Sequence, residues 1–101
     1  MKKFIGLLLA LYVAACATAP RMAPEPSDEM AKLSGTSAEQ LKRGHEIYQT
    51  QCSRCHVPML PDQVTEGDWH IVVPGMAWNA GISHEDEEAV LAYILAAKQM
   101  P

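Results

Sequence analysis

The sequence predicts one small helical domain, and three observations predict it. The chain has 101 residues, which is room for one domain and not two. Thr36-Ser37-Ala38-Glu39-Gln40 offers a capping box in either of two registers, Thr36 with Glu39 or Ser37 with Gln40, and apolar residues at helical spacing follow it. Ser83, followed by four consecutive acids and an apolar stripe, opens a second helix near the C-terminus. No strand–helix–strand pattern is present. With 49% apolar residues the chain is not of disordered composition. Its net charge of -4 argues against a nucleic-acid binder, because no basic patch stands ready to displace counterions from phosphates. Two Trp, three Tyr and one Phe make a thin aromatic core, and a fold this small usually needs a staple, a metal or a cofactor. Three cysteines cannot all be used in internal disulfides.

The first element is a leader. Lys2 and Lys3 precede twelve uncharged residues, Phe4 to Ala15, too few for a membrane span. Val13-Ala14-Ala15-Cys16 resembles a bacterial lipobox. That resemblance implies a signal peptide over residues 1–15, cleavage before Cys16, and lipid on the Cys16 thioether and the new N-terminus, which would hold the protein on a membrane. Ala17 stands where an Asp would suggest inner-membrane retention, so the analogy favours the outer membrane, facing the periplasm. Cleavage also removes two of the 8 basic residues, which leaves the mature chain more acidic and suited to partners with a basic face.

Residues 16–35 read as a flexible, proline-rich tether, since Pro20, Pro24 and Pro26 leave no helical or strand period. The folded unit is then 36–101. Its first helix runs to about Gln51, with Leu41, Gly44, Ile47 and Tyr48 on one side and Lys42, Arg43, Glu46 and Gln49 largely on the other. Gly44 costs about 1 kcal/mol against Ala inside a helix, and a close helix crossing would explain it. In the last helix Glu85, Asp86, Glu87 and Glu88 complement the positive helix start, Val90, Tyr93, Ile94 and Ala97 form the stripe, and Lys98 sits in the last turn.

Between these helices stands Cys52-Ser53-Arg54-Cys55-His56, a C-x-x-C-H sequence, the attachment signal for c-type haem. Each residue type has a reason. Two thiols add across the two vinyl groups of one haem, the two-residue gap sets their separation, and the histidine that follows reaches the iron. Other readings are weaker. A zinc site needs a fourth ligand beside Cys52, Cys55 and His56, such as His70 or His84. A thioredoxin-like dithiol belongs beside a βαβ pattern. A plain Cys52–Cys55 disulfide is the remaining alternative.

Leu41-x-x-Gly44-x-x-Ile47-Tyr48-x-x-x-Cys52-x-x-Cys55-His56 resembles the start of a class I (monohaem) cytochrome c, and the resemblance extends over about Ser37 to Ala97. It implies a small all-α fold in which the first and last helices cross, with Gly44 meeting Tyr93, around one covalent haem c held by Cys52, Cys55 and His56. Candidates for the second axial ligand are Met22, Met30, Met59, Met76, Met100, His45, His70 and His84. Met22 and Met30 fall in the tether, Met100 at the end, and Met59 only three residues after His56. His45 and His84 read as exposed, and His70 beside Trp69 stays open. Trp69-x-x-Val72-Val73-x-x-Met76 resembles small monohaem cytochromes and favours Met76; Pro74-Gly75 departs from their continuous helix and would put Met76 in a loop. Pro58 and Pro61 read either as loop punctuation or, by the same resemblance, as a site where a backbone carbonyl takes the His56 Nδ1 hydrogen. Trp69 and Trp78 read as cofactor-packing or core residues, and Tyr48 and Tyr93 as helix contacts. The expected function is single-electron transfer between periplasmic or membrane redox proteins, not enzymatic turnover; the alternatives are a haem-based sensor and a haem subunit of a larger oxidoreductase complex.

Overall fold

A computed structural model describes residues 21–54 and 57–101; the leader, Cys16, and the Cys55-His56 pair lie outside the described residues. The described chain is all-α, with four helices, α1 (Asp28–Ser34), α2 (Ala38–Thr50), α3 (Glu66–Ala80) and α4 (His84–Lys98), and two single 3₁₀ turns, Cys52–Arg54 and Pro61–Gln63.

Helices α2 and α4 form the central pair. Of the two capping registers, the one realised is Ser37, whose side chain accepts from the Gln40 amide at 3.2 Å. Leu41, Gly44, Ile47 and Tyr48 are buried, as their spacing predicts, and so are Val90, Tyr93, Ile94 and Ala97 of α4. Ser83 caps α4 by accepting from the Asp86 amide at 3.1 Å. The pair is closest at Gly44. A Cβ built there would lie 2.0 Å from the Ala89 carbonyl oxygen and 2.7 Å from the Tyr93 Cβ. Only a residue without a side chain lets the two backbones come this near. Beside the contact, Arg43 makes a two-pronged ion pair with Asp86, both hydrogen bonds at 3.1 Å, which ties the exposed edges of α2 and α4 together.

Two expectations need correction. The stretch 16–35 is not a featureless tether: its described part contains α1 and packs on the fold. All its prolines precede Ser27, and from there the local signals are helical. Ser27 accepts from the Met30 amide at 3.1 Å, Asp28 and Glu29 occupy the first turn, Lys32 the last, and Gly35 the C-cap. Met30 is 0% exposed and belongs to the core, where α1 lies against α4 and touches α2. Ahead of the helix, the Tyr93 hydroxyl donates to the Pro24 carbonyl at 2.6 Å, and Arg21 pairs with Asp62.

The second correction concerns Pro74-Gly75, which does not break α3. The helix runs from Thr65, whose side chain accepts from the Asp68 amide at 3.1 Å, to a left-handed Gly81. There Ile82 N–H bonds the Ala77 carbonyl and Gly81 N–H the Trp78 carbonyl, the paired closure that glycine favours. Proline is tolerated because of where it sits. Pro74 and His70, whose carbonyl loses its donor, are both exposed, so that carbonyl is on the solvent side, while Trp69, Val73 and Ala77 bury the opposite face. Met76 is therefore on a helix, not in a loop.

Candidate functional site

Between α2, the Cys52–Arg54 turn, α3 and α4 lies a narrow cleft with about 10 Å³ of free space, room for one water at most. Tyr48, Cys52, Pro58, Met59, Trp69, Met76 and Ile94 line it. Its surface is mostly carbon and sulfur, and no polar or charged side chain is fully buried among the described residues.

Each wall residue has a structural reason to be there. Tyr48 ends the buried stripe of α2, and its hydroxyl donates to the Met59 carbonyl at 2.7 Å. Cys52 follows one turn later, where the chain leaves α2 through Gln51. Trp69 sits in the first turns of α3, 1% exposed, and its indole N–H donates to the Pro61 carbonyl at 2.9 Å. Two hydrogen bonds from two different helices thus pin the loop 57–61 that continues from the C-x-x-C-H motif. Both are sheltered, and each is worth about 0.5–1.5 kcal/mol in stability.

Of the predicted site residues, Cys52 and Met76 are brought to the same cleft although 24 positions separate them in the chain. Cys55, His56 and Cys16 lie outside the described residues. Burial pushes the Cys52 thiol up from its ordinary value. That favours the neutral thiol, the opposite of the activated thiolate that a dithiol redox centre uses. Neither proposed fourth zinc ligand lines the cleft: His70 is exposed on α3, and His84 is exposed against Glu87 and Glu88. Among the described residues no group of three His, Cys, Asp or Glu could hold a metal ion.

The other candidates sort by burial. Met30 is in the core, Met22 is 79% exposed, and Met100 packs at the core's edge. Met59, set aside for its closeness to His56, is on the cleft wall. Two readings are corrected. Trp78 is 86% exposed and neither packs the core nor lines the cleft. His45 is not exposed but half-buried, its ring tilted against Tyr93 at a centroid distance of 5.0 Å, and burial lowers its pKa. Its place one residue past Gly44, at the helix crossing, explains the burial. Sequence reasoning missed the two loop-pinning hydrogen bonds; a Tyr and a Trp on either side of a proline loop are the only local hint of them.

A covalent haem fits these residues in kind. The fit is in the lining and the donor set and not in open volume: Cys52 and Met76 supply thiol and thioether sulfur beside Tyr48, Trp69 and Ile94, and a flat apolar group would have to part these walls. No protein-family model matches this chain, and neither a curated protein nor a solved structure is significantly similar to it.

Proposed function

We propose that this protein is a monohaem c-type cytochrome that carries single electrons, anchored by lipid on Cys16 in the bacterial cell envelope. The observation that carries the reading is the meeting of Cys52 of the C-x-x-C-H motif with Met76 at one apolar cleft. Cys52 and Cys55 would hold haem c by thioether bonds, and His56 and Met76 would ligate its iron. The group when bound supplies one-electron chemistry at iron, and a methionine ligand favours electron transfer over ligand binding.

The chain's own residues do the rest. Tyr48 and Trp69 hold the loop 57–61 by its carbonyls and so restrain the loop that follows the motif. Trp69 and Ile94 exclude water from the cleft wall. Val57, 87% exposed, and Met59, 45% exposed, offer an apolar rim for brief encounters with periplasmic or membrane redox proteins, which need only small interfaces.

The test is the optical spectrum of the purified holoprotein in both oxidation states. A low-spin ferric spectrum with a methionine-to-iron charge-transfer band, lost in Met76→Ala, is expected. Cys52→Ala with Cys55→Ala should leave no haem bound to the chain on a denaturing gel. A high-spin protein that binds CO readily when reduced would overturn electron transfer and favour a sensor.

A further inference from the structure

We infer that the protein stands on the bilayer in one orientation, with the Arg21–Asp62 end and the C-terminal end of α4 towards the lipid and the acidic start of α4 away from it. The inference rests on the proposed anchor at Cys16. Its own basis is the docked arm.

The arm is fastened at several points. Met30 is fully buried, Tyr93 donates to the Pro24 carbonyl, and Arg21 pairs with Asp62. Arg21, Met22, Ala23 and Pro24 share one groove with Leu60, Pro61, Asp62 and Ala97. The described chain therefore begins at that end. From Cys16 to Arg21 is five residues, at most about 18 Å even when fully extended. Helix α4 is itself about 22 Å long. So short a leash keeps the groove end beside the lipid, and the charges choose between lying flat and standing upright.

Those charges are segregated along α4. At its C-terminal end Lys98 and Arg21 both act on Asp62 and hold its carboxyl below the ordinary range, chiefly through the Arg21 hydrogen bond. Arg21 and Lys98 outweigh Asp62 there by one charge, and exposed Met22 adjoins them, a weakly basic and apolar combination that a headgroup layer accommodates. At the other end, among the described residues, Arg43 pairs with Asp86 and His84 with Glu87 and Glu88, so acids outnumber bases there. Lying flat would press these acids against anionic headgroups. Upright, they stand beyond a Debye length of roughly 8–10 Å, where the repulsion is screened.

The experiment uses the full-length lipidated holoprotein in vesicles of phosphatidylethanolamine and phosphatidylglycerol, with soluble Cys16→Ser protein as reference. Lysines are acetylated, and Lys98 is compared with Lys42, which adjoins Arg43 at the acidic end. The expected result is flotation with the vesicles and a several-fold fall in Lys98 labelling relative to Lys42. Flotation with both lysines labelled as in the soluble protein overturns the orientation and leaves the anchor standing. Failure to float overturns the anchor, and this inference with it.

Discussion

His45 Nε2 is the one buried side-chain nitrogen or oxygen without a hydrogen-bond partner among the described residues. Burial lowers its pKa, and Glu25 pulls weakly the other way. The sign of the consequence follows from linkage. The unfolded chain takes up this proton at about the ordinary 6.5, the folded chain only at lower pH. This contribution to stability is therefore complete above pH 6.5 and is lost as pH falls from there through the folded-state value. Urea midpoints measured from pH 7.5 to 5 should decline, and the decline should be shallower in His45→Gln. An unchanged slope in the variant would assign the acid sensitivity elsewhere. At this scale Cys52 was legible, because its motif is contiguous. Met76 was chosen by resemblance, and its position at the cleft is a product of how α3 packs. The burial of His45 was not legible, since one histidine beside a glycine looks the same whether or not a second helix crosses it.

At the scale of elements, the crossing of α2 and α4 at Gly44 makes the strongest demand on sequence. In Gly44→Ala the new methyl would collide with backbone at Ala89, which cannot swing away as a flexible side chain would. Overpacking of this kind costs about 1–3 kcal/mol, and a backbone obstacle places it at the upper end. Thermal unfolding of the variant should show a midpoint several degrees lower, with helicity kept; an unshifted midpoint would mean that the helices do not approach as described. The two helices themselves were readable in the sequence because caps, acidic first turns and apolar stripes lie within a few residues of one another. Helix α3 was harder. Its proline argued for a break, and whether a proline breaks a helix depends on which face it lands on, which is known only once Trp69, Val73 and Ala77 have a core to face.

For the whole molecule, the arm is the main change from expectation. A chain read as a loose spacer followed by a domain of about 65 residues has its spacer folded onto it from Arg21 onward, and that enlarges a core short of aromatic residues. Met30→Ala should lower stability by about 2–5 kcal/mol, as emptying a buried methionine site does. Equilibrium denaturation checks it. A loss near zero would return the arm to the role of a tether. Under the proposed lipid anchor on Cys16, the same docking would keep the fold within a few residues' reach of the membrane.

Sequence alone determined the helical class, the ends of α2 and α4, the faces they bury and the C-x-x-C-H motif, because each is written in residues close together in the chain. The structure decided which face Pro74 took, that Met76 and Met59 share a cleft with Cys52, and that the arm docks. Those outcomes depend on surfaces assembled from distant segments. The groove that receives Pro24 is built from Pro61 and Ala97, and its hydroxyl donor, Tyr93, is 69 residues away. No local pattern encodes such a surface, and it exists only after the helices have packed.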